Sequence, residues 1–332
     1  MNELIKKLVE AYGPSGFEDQ TRALIRQEVE SLADELSVDA MGNLIALKKG
    51  DGSGLKVMIA AHMDEIGVMI THITKDGFCR FTNIGGILPH TLLGGRVQFA
   101  DGRIGLIASD RLTSRSKIHD LDKHFIDVGA SSREDCPVNV GDAAGFVRPF
   151  IAQDKRLSAK SMDDRIGCVV AIEALKQLQK VTIPHDVYFV FSVQEEVGTR
   201  GAEAAANYLD PDVGIALDVT TTGDVPEARP MAVSLGQGAA IKVKDMGMIA
   251  HHGLVQLMKQ RANDANIPYQ LEVLIGGSTD ARSIQIANGG AAAGCISIPC
   301  RYVHTQSETV DTDDIEHSIQ LLVEILKKPI EL

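Results

Sequence analysis

Two adjacent glutamates, Glu195 and Glu196, follow the run Val187 to Val193, which is rich in β-branched and aromatic residues. Such a run reads as a buried strand. Carboxylates where a buried strand stops are costly unless a metal ion or a proton in transit compensates them. The same arrangement recurs. The apolar run Lys56 to Ala61 stops at His62-Met63-Asp64-Glu65, and Val213 to Leu217 stops at Asp218. In open α/β sheets, ligands bind outside the carboxyl ends of strands, so these residues are expected to converge on one edge. Asp163 precedes a helix, where its carboxylate faces the positive end of the dipole. His304 follows Arg301-Tyr302-Val303. Histidines and carboxylates without a thiolate form a donor set for zinc, cobalt or manganese in a hydrolytic centre.

Each residue alone has a structural reading. Asp163 can cap its helix, Asp218 can form a turn, and His62 or His304 can be a hydrogen-bonded neutral histidine. Those readings leave the repeated strand-end acids unexplained. His251-His252 opens a helix, and neighbours one apart do not share a helix face, so the pair is read as structural or as a support behind the ligands. His90, His119, His124 and His185 fall in loop-like or surface-like contexts and receive no role.

The elements that must position these residues alternate. Helices are expected near 2–11, 18–34, 166–178, 199–208, 251–265, 279–286 and 312–327. Strands are expected at 37–39, 44–47, 56–61, 187–193, 213–218, 240–243, 270–275 and 291–298. This is an α/β pattern. From about Gly67 to Pro149 short alternating strands and glycine turns dominate, such as Gly85-Gly86 and Gly94-Gly95. That texture reads as a small all-β module, a barrel, inserted into the α/β domain.

The chain has 332 residues and a formal net charge of −12, which argues against nucleic acid and anionic membranes as partners. No apolar run reaches the ~20 residues of a membrane span. Met1 to Lys7 reads as an amphipathic helix start and not as a secretory leader. The five cysteines form no C-x-x-C pair, which suggests reduced thiols and a cytoplasmic protein.

Five segments carry a specific resemblance when taken in order: Ala61-His62-Met63-Asp64-Glu65-Ile66-Gly67, Met162-Asp163-Asp164-Arg165, Gln194-Glu195-Glu196-Val197-Gly198, Ala216-Leu217-Asp218-Val219 and Arg301-Tyr302-Val303-His304. The set resembles the tetrahedral aminopeptidases, a family that includes the glutamyl aminopeptidases and endoglucanase-like relatives. The likeness covers nearly the whole chain. It implies a three-layer α/β/α metallopeptidase domain with a mixed sheet, formed by 1–67 and 153–332. A small PDZ-like β-barrel, 68–152, would be inserted for dimer contacts and assembly.

The resemblance also implies roles. Asp163 would bridge two divalent ions, with His62 and Asp218 completing one site and Glu196 and His304 the other. Asp64 would orient His62. Glu195 would act as general base on a metal-bridging water. A cis peptide is implied at Asp163-Asp164. Gly276-Gly277-Ser278-Thr279-Asp280-Ala281 resembles a family loop near the active site, and Thr305 to Thr309, after His304, departs from the family's proline-containing pattern in a way that bears on substrate preference. The implied protein is a cytoplasmic aminopeptidase acting on short peptides, assembled as a dodecameric shell that can dissociate to dimers when metal is lost.

Three rivals remain at this point. A deacylase or carboxypeptidase on the same scaffold would need donors for a different substrate end, with Arg165, Arg282 and Arg301 as candidates for a terminal carboxylate. A glycoside hydrolase would use two carboxylates, but aromatic residues are only 4 % and tryptophan is missing, leaving little for a sugar to stack on. A non-catalytic metal-binding protein would not need a free base beside Glu196.

Overall fold

Strand alternation sends successive residues of the central apolar run to opposite faces, so a strand covered on both sides must be apolar throughout. The computed structural model describes residues 1–111 and 120–332; His119 lies outside the described residues. Helices α1 (Asn2–Val9) and α2 (Asp19–Val29) lead into strands β1 (Glu35–Val38), β2 (Leu44–Lys48) and β3 (Lys56–His62). Six strands follow: β4 (Gly67–Ile73), β5 (Cys79–Ile84), β6 (Arg96–Phe99), β7 (Ile104–Ser109), β8 (His124–Asp127) and β9 (Ala143–Phe146). The chain continues through β10 (Ile151–Gln153), β11 (Arg156–Ala159), α3 (Met162–Leu178), β12 (Asp186–Ser192), α4 (Arg200–Leu209) and β13 (Val213–Thr220). It ends with β14 (Ala239–Lys244), α5 (His252–Asp264), β15 (Tyr269–Val273), α6 (Asp280–Ile286), β16 (Ala292–Arg301), β17 (Glu308–Asp311) and α7 (Thr312–Leu326).

The large sheet runs β1-β2-β12-β3-β13-β16-β17-β11-β10, with β14 on β16 and β15 on β14. Strands β12, β3, β13 and β16 are parallel to one another, while β2 and β14 join antiparallel, so the sheet is mixed. Val57, Ile59 and Ala61 of β3 face one core, shared with Phe189 and Phe191 of β12 and with α1, α2, α3, α5 and α7. Met58 and Ala60 face the other, packed with Ala202, Ala205 and Ala206 of α4 and Ile284 of α6. Helices on both faces give the three layers.

Strands β4 to β9 close into a barrel in the order β4-β5-β8-β7-β6-β9. Closure leaves no unpaired edge. Val68, Ile70, Phe81, Val97, Phe99, Ile107, Ile126 and Phe146 fill it. The chain is back in the large sheet at Ile151, where β10 pairs with β11. Among the described residues, no helix is long and apolar enough to cross a membrane.

Two expectations are corrected. Strand β13 does not stop at Asp218: Val219 and Thr220 continue the pairing with Ile298 and Pro299 of β16. A buried carboxylate inside a strand resembles a strand end in sequence, because its compensation comes from other segments. His124 and His185 are not surface residues; both are buried. His185 accepts the Leu55 N–H at 3.0 Å through Nδ1 and meets the Lys328 carbonyl at 3.1 Å through Nε2, which makes it a tie between a loop and the C-terminal segment.

Candidate metal centre

The parallel strands deliver the candidate residues to one edge of the sheet. His62 is the last residue of β3, and Asp64 follows it. After β12 the chain turns through Gln194, at φ +55°. The Asn43 side chain holds this turn by accepting the Val193 N–H at 2.9 Å and donating to the Gly201 carbonyl at 2.9 Å. Asp64 then sets both glutamates: its Oδ1 accepts the Glu195 N–H at 3.0 Å, and its Oδ2 accepts the Glu196 N–H at 3.2 Å and the Ser15 hydroxyl at 2.6 Å. Asp163 lies at the start of α3, before helical geometry is established, and its peptide bond to Asp164 is cis. His304 sits in the loop between β16 and β17 with φ +61°.

Asp163 stands at the middle. Its Oδ1 is 3.0 Å from His62 Nε2, and its Oδ2 is 3.3 Å from His304 Nε2. His304 Nε2 is also 3.3 Å from Glu196 Oε2. On the other side, His62 Nε2 lies 3.9 Å from Glu195 Oε2 and 4.0 Å from Asp218 Oδ1. The fold therefore brings together His62, Asp163, Glu195, Glu196, Asp218 and His304, with one oxygen of Asp163 on each side. Potential ligand atoms of His62, Asp163 and Glu196, and of His62, Asp164 and Asp218, lie within 4.8 Å of one another.

A family model described as M42 glutamyl aminopeptidase matches residues 42–321. The chain belongs to the M42 peptidases. The lysyl aminopeptidase of Pyrococcus furiosus is 38% identical over 98% of this chain and 96% of its own length. The solved structure of aminopeptidase APDkam598 from the archaeon Desulfurococcus kamchatkensis superposes with a TM-score of 0.93 at 42% identity, covering 99% of this chain and 94% of that one. The Pyrococcus horikoshii TET1 peptidase, described as able to assemble into a tetrahedron or a large octahedral shell, matches with a TM-score of 0.90 at 33% identity, over 98% and 99% of the two chains. The M42 fold, a mixed sheet with an inserted small barrel, is the one found here.

Two acids of this M42 chain hold the centre without having been singled out by their sequence context. Glu308 is buried in β17; its Oε2 accepts the Asp163 N–H at 2.9 Å and its Oε1 accepts the His304 N–H at 2.8 Å. One carboxylate thus sets the spacing of two residues far apart in the chain. Asp164, also buried, accepts the His62 N–H at 3.2 Å and the Gly167 N–H at 3.0 Å. The only sequence signal for Glu308 is an acid in the short alternating run Glu308 to Asp311; Asp164 has none beyond its neighbour.

The electrostatics are those of a cation-poor cluster. Burial, and then Asp163, push the Glu196 carboxyl up to about 8. Burial raises Glu195 and Asp218 well above the usual carboxylate range, Asp163 adding to the rise at Asp218. Burial by itself would lower His304, but Asp163 and Glu196 outweigh it and hold the imidazole up at about 10. His62 is raised in the same way by Asp163 and Asp64. Among the described residues, the cations within ion-pair distance of these acids are the two imidazoles; Lys242 acts on Asp218 from farther off.

The residues fit divalent ions. The donors are carboxylate and imidazole, suited to zinc, cobalt or manganese. Glu196 Oε1 is buried with no partner. His62 Nδ1 lies 3.4 Å from Asp64 Oδ1, near enough for attraction but not aligned as a hydrogen bond. The barrel covers one side with a stretch that lacks side chains: a Cβ on Gly85 would lie 2.9 Å from Glu196 Oε2, and one on Gly86 2.6 Å from His304 Nδ1.

A cavity of about 870 Å³ opens beside these acids, walled by residues that include Ile87, Val219, Met231 and Ile275. Gly276, Gly277 and Ser278 of the glycine-rich loop also line it. Of the three arginines considered for a terminal carboxylate, Arg165 is fully buried and donates to the Leu8 carbonyl at 2.8 Å. Arg301 is paired with Asp224 at 2.6 Å. Only Arg282 lines the cavity, joined by Arg229.

Proposed function

We propose that this M42 chain is a metal-dependent aminopeptidase that removes the first residue from short peptides. The observation that carries the reading is the division of Asp163: one carboxylate oxygen meets His62, which stands against Asp218, and the other meets His304, which stands against Glu196. Asp163 would bridge two divalent ions, zinc or cobalt with manganese sharing the donor set, and those two pairs would complete the sites. When bound, the ions polarise the scissile carbonyl and acidify water.

The chain's own groups do the rest. Glu195 stands 3.9 Å from His62 Nε2 on a backbone pinned by Asp64. Its carboxylate is the base: it takes a proton from the attacking water and returns it to the leaving amine. Glu196, its neighbour, is committed to the ion. Asp64 keeps the two glutamates in these separate roles by holding both of their N–H groups, and it also stands against His62. The cavity beside Glu195 admits the peptide.

The reading extends to assembly. The TET1 relative, described as forming tetrahedral or octahedral shells, supports a homo-oligomer here; its proposed form is a dodecamer that can yield dimers when metal is lost. The barrel module, 68–152, would supply dimer contacts, leaving 1–67 and 153–332 as the catalytic unit. We assign the protein to the cytoplasm.

Metal stripping followed by zinc, cobalt or manganese, with free and N-acetylated Glu-, Lys- and Leu-peptides as substrates, tests the reading. Cleavage of free peptides only, restored by metal, is the expected result. Cleavage of the acetylated forms would point to a deacylase or endopeptidase, and failure to cleave either form with metal bound to a non-catalytic protein.

A further inference from the structure

The five cysteines meet different partners. Cys168 Sγ lies 3.2 Å from the His62 carbonyl, Cys300 Sγ 3.5 Å from the Arg301 carbonyl, and Cys295 Sγ 3.3 Å from the Ser297 hydroxyl. All three are buried. Cys79 and Cys136 instead meet each other, with their sulfurs 3.7 Å apart. Cys79 is fully buried in the barrel, whereas Cys136 is partly exposed. Burial, and then Cys136 beside it, push the Cys79 thiol up to about 12. Solvent therefore reaches this pair through Cys136.

Backbone contacts hold the two sulfurs together. Cys136 lies in the loop between β8 and β9, which sits on the turn between β4 and β5. Arg133 of that loop donates its N–H to the Lys75 carbonyl at 3.2 Å and its Nε–H to the Ile73 carbonyl at 2.9 Å. A Cβ on Gly77 would lie 2.8 Å from the Ala130 Cβ, so loop and turn are in direct contact. The Asp135 carboxylate accepts the Ser131 and Ser132 N–H groups at 3.1 and 2.8 Å and fixes the loop's own turn. Cys79 stands at the barrel's thinnest seam. Among the described residues the other seams pair over three or more positions, while β5 meets β8 at Cys79 and Ile126 alone. Phe78 packs edge-on against Phe125, with centroids 5.0 Å apart, and Arg80 donates to the His124 carbonyl at 3.3 Å. Strand alternation puts Cys79 on the opposite, inner face from those two. A bond from Cys79 to the loop that follows β8 would therefore close the seam from inside.

We propose that Cys136 and Cys79 form an oxidative modification site, at which a hydroperoxide converts the two thiols into a disulfide that closes the β5–β8 seam. Cys136, as its thiolate, attacks one peroxide oxygen. The O–O bond breaks, Cys136 is oxidised to a sulfenic acid, and the other oxygen leaves and takes up the thiol proton as water. The Cys79 thiol then attacks the Cys136 sulfur. The S–O bond breaks, the S–S bond forms, and the hydroxyl leaves with the Cys79 proton as a second water. Two thiols and one peroxide become one disulfide and two waters. An external dithiol reverses the change by exchange at the accessible Cys136 sulfur. Cys168, Cys295 and Cys300 stay out of this chemistry, because burial raises each thiol well above its ordinary range and shields it from the oxidant.

The full-length, metal-loaded protein, reduced and then freed of reductant, would be exposed to hydrogen peroxide. The expected product is a chain lighter by two hydrogens, with a Cys79–Cys136 cross-link in the unreduced digest, and dithiothreitol restores the original mass. Amide hydrogen exchange in β5 and β8 should slow by about tenfold or more in the oxidised protein. Cys136→Ser should abolish the cross-link, and Cys79→Ser should leave a sulfenic acid on Cys136 that dimedone captures. The wild-type chain decides the matter even where a variant folds poorly. If it keeps both thiols, oxidises Cys136 only to sulfinic or sulfonic acid, or bridges other cysteines or two chains, the modification site is overturned. A Cys79–Cys136 cross-link with unchanged exchange in both strands overturns the closure of the seam.

Discussion

Asp64 and Glu65 are neighbours in the chain, yet they enter two acid clusters that are neutralised in opposite ways. Glu65 meets cations that the protein supplies. Its Oε2 lies 2.6 Å from Lys160 Nζ and accepts the Ser161 hydroxyl, while its Oε1 accepts the Gly13 N–H at 2.9 Å and stands 3.8 Å from Arg165. Lys160 and Arg165 also donate to the carbonyls of Ala11 and Leu8, at 2.9 and 2.8 Å. That cluster ties the N-terminal segment, the end of β3 and the start of α3 into one unit. Tyr12 extends the tie to the barrel through the Ala143 carbonyl at 3.0 Å. On the Asp64 side, Asp163, Glu195, Glu196 and Asp218 find ion-pair partners, among the described residues, only in His62 and His304, and Asp164 and Glu308 find none. A buried acid paired from within is a structural joint. A buried cluster that lacks its cations is shaped for cations from outside.

The contrast can be broken from either side. The largest effect is expected at the cation-poor cluster. Glu195→Gln removes the proposed base but not a candidate ligand, so kcat should fall by about 10²–10⁴. Bound metal, counted by elemental analysis, should stay the same, and full turnover would take Glu195 out of the mechanism. On the other side, Glu65→Ala leaves Lys160 and Arg165 buried without their acid, at a cost of about 3–5 kcal/mol. Urea unfolding should show the lower midpoint, and adding Lys160→Met should recover part of it. An unchanged midpoint would mean the joint is not held by charge.

A smaller change tests how the centre is framed. Glu308→Gln keeps shape but offers one acceptor where two N–H groups need one each. Ion affinity on the His304 side should weaken by about 10–100-fold. Calorimetric titration of the stripped protein should then resolve one weakened site beside one unaltered site; two unaltered sites would reduce Glu308 to a packing role.

The smallest effect concerns a buried acid with no ion pair among the described residues and no role in the centre. Asp314 accepts the Gly236 and Gly238 N–H groups at 2.6 and 2.7 Å, yet burial outweighs them and lifts its carboxyl to about 6. The unfolded chain loses this proton near pH ~4. Between about pH 4 and 6 the folded state holds more protons than the unfolded state, so its contribution to stability falls as pH rises, by no more than about 3 kcal/mol. Asp314→Asn should flatten that slope in denaturation curves at pH 4 and 6.5; an equal slope in both proteins would locate the pH dependence elsewhere.

Much of this could be read without coordinates. The apolar runs 56–61, 187–193 and 213–217 are strands because nothing else buries uninterrupted β-branched sequence so briefly, and the helix over 312–327 follows from Ile315, Ile319, Leu322 and Ile325 recurring on one face. The candidates His62, Glu195, Glu196 and Asp218 stood out because charge beside apolar sequence is costly. Glu308 and Asp164 did not, since their work is done on backbone N–H groups of distant residues, and no local pattern announces a distant hydrogen bond. Arg165, Arg282 and Arg301 look alike in sequence, yet one is a buried strut, one is paired and one lines the cavity.

The order and type of most elements, the barrel insertion and the donor chemistry were therefore determined by sequence alone, because periodicity and residue type act locally; the short strands β10, β11 and β17 gave no such signal. Only the tertiary structure decided which acids receive a protein cation and which are left without one. That choice depends on distances between segments as far apart as Asp64 and Glu195, or Asp163 and Glu308, and such distances exist only once the sheet has formed and the chain has closed around it.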